Sequence, residues 1–403
     1  MTTALSFMLV LNGNFGPGKV PINQDPKPIS ECPFKMTENA MIVDSVVNGR
    51  KVSLMFDTGF AGWTVVADSI NLGKPDGKIT LQDFVGTFEA DTIKIKSMKL
   101  GDLSIPVDDS STSVLRPNEG YSEAYGTHCD GIMGFAVVKN TITEINFEKK
   151  KFIFYPKSMD ISKRIPDNKK TFLTNLLPTG FGALEMRVKT EAGKSMILAL
   201  DTGNSFYATT HRDVLDRVGI WPIGRKQKYT KVSSVASGPV DSWYIRMPKL
   251  SIFGVPVETS VWDIIDLPAG SADSDGTVGF GFLKNFNIII DYERRRVWLE
   301  NFTGKVHDEE PAETGISVFW DNVKKSYVVY RVDESSPALA GVVKRGDLLL
   351  SVDGDEALNI GFDRMRDKLE GKAGTKVKLA MSRNGQLYRI EVERVSHIND
   401  PNG

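Results

Sequence analysis

The sequence predicts a mainly β chain built from two duplicated lobes and a smaller C-terminal domain, and three observations predict it. Asp-Thr-Gly occurs twice, at Asp57–Gly59 in "LMFDTGF" and at Asp201–Gly203 in "LALDTGN", 201 − 57 = 144 residues apart. The segments "CDGIMGFAVVKNTITEINFEKKKFIFY" and "SDGTVGFGFLKNFNIIIDYERRRVWLE" share one register, with Asp130 over Asp275, Gly134 over Gly279 and Glu148 over Glu293, an offset of 275 − 130 = 145. Two motif pairs in the same order at nearly one offset make the chain from about 36 to 305 a duplication. Past residue 305 the character changes, and the polar, acidic, Pro-containing "GKVHDEEPAETG" reads as a linker.

The elements follow in order. "MIVDSVVNGRKVSLMF" is two β-rich runs around Asn48-Gly49, a dipeptide suited to a type I′ hairpin turn, and "ALEMRVKTEAGKSMILAL" repeats the plan around Ala192-Gly193. In both copies the second strand runs straight into Asp-Thr-Gly, whose glycine lets the backbone leave the strand sharply. Each lobe closes with a strand, a charged turn (Glu148 to Lys151, Glu293 to Arg296) and another strand. Helical periodicity is scarce, "HRDVLDRVG" being one short candidate. Beyond the linker, Arg345-Gly346-Asp347, Asp353-Gly354 and Asn384-Gly385 are turn signals, and "FDRMRDKL" sets Phe362, Met365 and Leu369 at helical spacing. The expected division is an N-terminal extension at 1–35, lobes at 36–165 and 166–305, a linker at 306–314, the C-terminal domain at 315–396 and a tail at 397–403.

Composition bounds the function. The 50 Lys and Arg against 51 Asp and Glu leave a net charge of −1, which gives no support to nucleic-acid or membrane-surface binding. No apolar run approaches the ~18 residues of a transmembrane helix. The run Ala4–Leu11 has the length of a short secretory core but lacks a preceding basic residue and a following cleavage site. The compartment therefore stays open, an extracytoplasmic one being favoured. Cys32 and Cys129 form neither a zinc ribbon nor a Cys-x-x-C pair, and are either a disulfide or two small buried residues. Four scattered histidines without a His-x-x-x-His spacing speak against a His-based zinc site. No phosphate-cradling glycine-rich helix start and no serine-nucleophile loop is present, so no metal or cofactor is expected.

Over roughly 270 residues the two-lobed plan resembles the pepsin and retropepsin-like aspartic proteases. The resemblance rests on the paired Asp-Thr-Gly motifs, on "IMG" (132 to 134) and "TVG" (277 to 279) placed to thread behind them, and on the closing "VGFGFLKNFNIIIDYERRRVWL". It implies a double β-barrel, endopeptidase activity on polypeptide substrates, and a catalytic unit complete in one monomeric chain. Two carboxyls about 3 Å apart cannot both ionise, so they share a proton, one activating water while the other protonates the carbonyl. The resemblance assigns these roles to Asp57 and Asp201, cross-bracing hydrogen bonds to Thr58 and Thr202, and backbone donors to Gly59 and Gly203. The chain departs from the pepsin pattern in its flap region, 79 to 95, which holds no tyrosine and offers Phe84 and Phe88 instead. It departs again at Phe60, where pepsins place a serine; a dyad without that hydroxyl is expected to work at a less acidic pH, and the Asn204 amide is expected to offset part of the loss.

The segment "VDESSPALAGVVKRGDLLLSVDGDEA" is similar to bacterial PDZ domains, over about 80 residues. That resemblance implies a groove for peptide C-termini, formed by the Gly315 loop, Ile316 and Val318 on a strand, and Phe362, Arg366 and Leu369 on a helix. The polar linker and the self-contained order of strands and helix lead to the expectation that residues 306 to 403 fold alone. The rival reading, motivated by Phe60 and the altered flap, is a non-catalytic peptide-binding scaffold that uses only this domain.

Overall fold

Asn48 and Gly49 both adopt positive φ, 48° and 78°, as a two-residue type I′ turn requires, and they join Met41–Val47 to Arg50–Asp57. The second lobe repeats this with Glu185–Thr190 and Ser195–Leu200 around Gly193 at φ 78°. The duplication extends to strain: Lys150 and Arg295, 295 − 150 = 145 apart, both turn through the left-handed region at φ 52° and 55°. The computed structural model describes residues 26–37, 39–82, 87–117, 121–178, 183–235, 238–269, 275–307, 310, 312–333, 339 and 341–403, and it is mainly β.

The lobes are joined by a shared antiparallel sheet. Ile142–Asn146 of the first pairs with Phe286–Asp291 of the second, and Glu144 lies opposite Ile289. Those two residues are equivalent in the repeat, 289 − 144 = 145, so the pseudo-twofold axis of the chain passes through this sheet. One apolar core runs across both lobes, with Phe147 against Phe280 at 5.8 Å between ring centroids and Phe135 against Tyr292 at 5.5 Å. Four short helices are described: α1 (Tyr121–Tyr125), α2 (Arg212–Arg217, the predicted one), α3 (Phe280–Leu283) and α4 (Ala357–Leu369). None is long and apolar enough to cross a membrane.

Residues 30–35 stand differently from their expected place outside the first lobe. Ser30–Met36 is a strand wedged between Lys151–Tyr155 and Met41–Val47, because Cys32 and Phe34 alternate inward onto the core. Cys32 and Cys129 are free thiols in separate clusters, and burial raises both to a pKa of about 11.

The C-terminal domain has its own core, including Val329, Leu349, Met365 and Val377, beneath a sheet that starts at the edge strand Ile316–Asp321. The predicted turns form, with Asp353-Gly354 at φ 50° and 89° and Asn384-Gly385 at 51° and 83°. Both ends of this domain differ from a free linker and tail. Glu310 pairs with Arg246, and Ala312–Glu313 pairs with Glu370–Gly371. Ile398–Asn399 adds in parallel to Gly238–Met247 of the second lobe. The buried Asn399 side chain accepts from the Lys228 and Tyr229 N–H groups at 2.7 and 3.1 Å and donates to the Tyr229 and Tyr244 carbonyls at 3.0 and 2.9 Å. Arg331 completes the seam through Asp241 and Thr230. The reason is polar satisfaction: a side-chain amide supplies what an unpaired strand end lacks.

Asn399→Ala removes all four bonds. It is expected to cost about 2–3 kcal/mol in denaturant unfolding, with faster amide exchange along Gly238–Met247. A change within about 0.5 kcal/mol contradicts this role for the tail.

Candidate active site

Asp57 ends the Arg50–Asp57 strand and Asp201 follows Ser195–Leu200, so each carboxylate is delivered by the second arm of a hairpin. The two Asp-Thr-Gly loops meet across the pseudo-twofold axis. The Thr58 N–H donates to Thr202 Oγ1 at 3.1 Å, and the Thr202 N–H donates to Thr58 Oγ1 at 2.9 Å. Each hydroxyl then donates across the axis, Thr58 to the Leu200 carbonyl at 2.7 Å and Thr202 to the Phe56 carbonyl at 2.8 Å. Both threonines are fully buried.

Glycine follows because nothing larger fits. A Cβ on Gly59 would lie 2.6 Å from the Asp201 carboxyl carbon, and one on Gly203 would lie 2.4 Å from that of Asp57. Each loop therefore abuts the other loop's carboxylate. Behind them run Gly131–Gly134 and Gly276–Val278, parallel to the aspartate strands, with Gly134 beside Asp57 and Val278 beside Leu200. The Asp130 and Asp275 carboxylates are structural: they accept from the Ser53 and Ile197 N–H groups at 2.9 and 2.8 Å and hold these strands in register.

The dyad is asymmetric. Gly59 and Phe60 N–H groups donate to Asp57 Oδ1 at 2.8 and 3.0 Å, and Gly203 and Asn204 N–H groups donate to Asp201 Oδ1 at 2.9 and 3.1 Å. Asp201 also receives the Thr277 hydroxyl. The repeat places Ile132 at that position in the first lobe, 277 − 132 = 145, so Asp57 has no such donor. Burial, then the charge of Asp201, holds the Asp57 carboxyl well above the usual carboxylate range, against the two backbone bonds. Burial raises Asp201 too, but the bond with Asp57, the Gly203 and Asn204 N–H groups and the Thr277 hydroxyl pull it back. Both carboxyls are thus held above the ordinary range, Asp57 with one donor fewer than Asp201, and the pair titrates as a unit.

The Asn204 amide does not face the dyad. Its Nδ2 donates to Thr209 and Thr277 at 2.9 and 2.7 Å, so its influence on Asp201 runs through Thr277 and its own N–H. The Phe60 ring packs with Leu81 and Ile132 onto Val65, Ala90 and Val114, at the root of a hairpin formed by Gly77–Gln82 and Thr87–Lys94. Phe84 lies outside the described residues. Phe88 is in the second strand of that hairpin, opposite Leu81, and its side chain also lies outside them. Sequence reading missed Thr277 and Ile132 as tuning residues; the overlay of the two repeats was the signal that held them.

In the C-terminal domain, Gly315 turns at φ 76° into the edge strand carrying Ile316 and Val318, and α4 carries Phe362, Arg366 and Leu369. Leu369 is buried, as is Met365, while the Phe362 and Arg366 side chains lie outside the described residues. The edge strand and α4 face a cavity of about 550 Å³ whose other wall is Phe206, Lys231 and Tyr244 of the second lobe. This cavity does not include the dyad. Among the described residues no group of three His, Cys, Asp or Glu is placed to hold a metal.

No family model matches the chain, and no curated protein matches it in sequence. Among solved structures it is similar to an aspartic proteinase from Irpex lacteus, at 14% identity and a TM-score of 0.40, over 68% of this chain and 97% of that one. It is also similar to a photosystem II D1 C-terminal processing protease, at 20% identity and a TM-score of 0.21, over 22% of this chain and 24% of that one.

Thr277→Val tests the asymmetry. Its hydroxyl stabilises ionised Asp201, so its loss disfavours release of the pair's first proton. A bond to a charged group is worth about 1.5–3 kcal/mol and one pKa unit about 1.4, so after screening the first apparent pKa is expected to rise by about one unit in a carbon-13 carboxyl titration. An unmoved titration contradicts the assignment.

Proposed function

We propose that this chain is an aspartic endopeptidase that hydrolyses polypeptide bonds with the Asp57–Asp201 dyad. The observation that carries the reading is the reciprocal Thr58–Thr202 bonding, with each loop's glycine set against the other loop's carboxylate. A turn that only ended a strand would need neither the partner loop nor a carboxylate buried beside another. In this reading Asp201 is the general base that takes a proton from water, and Asp57 donates to the carbonyl oxygen of the scissile bond. As the tetrahedral adduct collapses, a carboxyl of the pair protonates the leaving nitrogen, and the shared-proton state returns. The hairpin Gly77–Gln82 and Thr87–Lys94 is proposed as the cover over the cleft, and its apolar root as the wall that keeps the site dry.

The C-terminal domain is proposed as a PDZ-like module in which an extended chain adds to the edge strand Ile316–Asp321 beside α4. Gly315, Ile316, Val318, Phe362, Arg366 and Leu369 are proposed as its contacts. Because Phe206, Lys231 and Tyr244 form the facing wall, such a ligand would touch the second lobe as well.

Digestion of a peptide library by the full chain, with Asp57→Asn and Asp201→Asn as controls, tests the reading. Each substitution is expected to lower kcat/KM by at least ~1,000-fold while leaving the fold intact. Cleavage that survives either one removes the dyad from the mechanism. The kcat/KM profile is expected to be bell-shaped with its optimum at roughly pH 4.5–6.5, because Asp57 lacks a hydroxyl donor and both carboxyls are raised. An optimum below about pH 3.5 contradicts that assignment.

A further inference from the structure

Helix α1 sets two phenols, Tyr121 and Tyr125, beside the strands that lead to Asp57. Helix α1 is only five residues long, too short to persist unaided, and three contacts hold it. Ser122 Oγ accepts from the Cys129 N–H at 3.0 Å and donates to its carbonyl at 3.2 Å, tying α1 to the segment that enters Gly131–Gly134. Tyr121 and Tyr125 pack with Met55, Cys129 and Ile132. Helix α4 of the C-terminal domain lies against α1 from the other side.

Met55 is two residues before Asp57 and is the register partner of Ile132, which in turn packs in the cluster of Phe60 and Leu81. Tyr125 therefore packs beside the paired strands that carry Met55 and Ile132 toward Asp57. Its hydroxyl lies within reach of the charges of both Asp57 and Asp201, yet makes no hydrogen bond to any described residue. Burial, then the charge of Cys129 and that of Asp57, pushes the phenol well above its ordinary value of 10, so it is a neutral donor wherever the dyad is singly protonated. Of the described side chains in its cluster, Met55 and Ile132 offer no donor, and the Cys129 thiol is turned to the Gly131 carbonyl at 3.1 Å.

We propose that Tyr125 is a substrate-contacting residue of the cleft, its hydroxyl donating to a backbone carbonyl of the bound polypeptide beside the scissile bond. The assignment rests on the dyad reading above. The bond forms on binding and persists through the reaction, so it serves affinity rather than the chemical step. Because α4 backs α1, the docked C-terminal domain holds this contact in place.

Tyr125→Phe keeps the ring and removes the donor. In the full chain it is expected to raise KM about 10-fold with kcat unchanged, while the unfolding midpoint stays that of the parent. A structural role would instead lower the midpoint or kcat. Calorimetric titration with a non-cleavable hydroxyethylene peptide isostere gives a readout independent of turnover. The parent is expected to bind it, and Tyr125→Phe about 10-fold more weakly. Parent-like affinity in Tyr125→Phe overturns this assignment and leaves the dyad reading standing. A parent chain that does not bind the isostere overturns the dyad reading and this assignment with it.

Discussion

The reciprocal hydrogen bonding of Thr58 and Thr202 is the constraint on which the rest of the structure depends. Each threonine gives its N–H to the other's hydroxyl and its own hydroxyl to a carbonyl across the axis, so four buried polar groups are satisfied only when both lobes are present. This lattice brings two carboxyls together where burial raises both. The shared sheet, with Glu144 opposite Ile289, and the continuous aromatic core hold the lobes in the orientation the lattice needs.

Symmetry builds the site and departures from symmetry set its chemistry. Thr277 gives Asp201 a hydroxyl that Ile132 cannot give Asp57, and Asn204 orients Thr277 where Phe60 only packs. Asp201 thereby has one donor more than Asp57, an inequality that suits the division of acid–base work proposed for the pair. The same differences leave Phe60, Leu81 and Ile132 in an apolar cluster on the first-lobe side.

Much of this was legible in the sequence because duplication leaves matched residues at one offset. The two Asp-Thr-Gly loops, the hairpins before them, the charged turns at Glu148 to Lys151 and Glu293 to Arg296 and the Asn-Gly and Asp-Gly turns of the C-terminal domain are local signals, and local signals survive in a string of letters. What escaped is what packing decides. Cys32 and Phe34 make a strand of residues set outside the first lobe, because their alternation matters only once a sheet edge lies beside them. Asn399 is an ordinary polar residue until the Tyr229 and Tyr244 carbonyls surround it. Tyr125 and Thr277 carry no motif of their own; only the fold packs Tyr125 beside Met55 and Ile132 and brings the Thr277 hydroxyl to Asp201.

A double-mutant cycle on Thr58→Val and Thr202→Val tests the central claim most directly. Each single variant leaves the partner's buried groups unpaired, so the second substitution has less to lose. Unfolding free energies in denaturant are therefore expected to show a coupling of about 1–3 kcal/mol between the two positions, with the double variant more stable than the sum of the singles predicts. Additive losses would mean that the two loops are stabilised independently, and that the lobes do not depend on one another for the site they share.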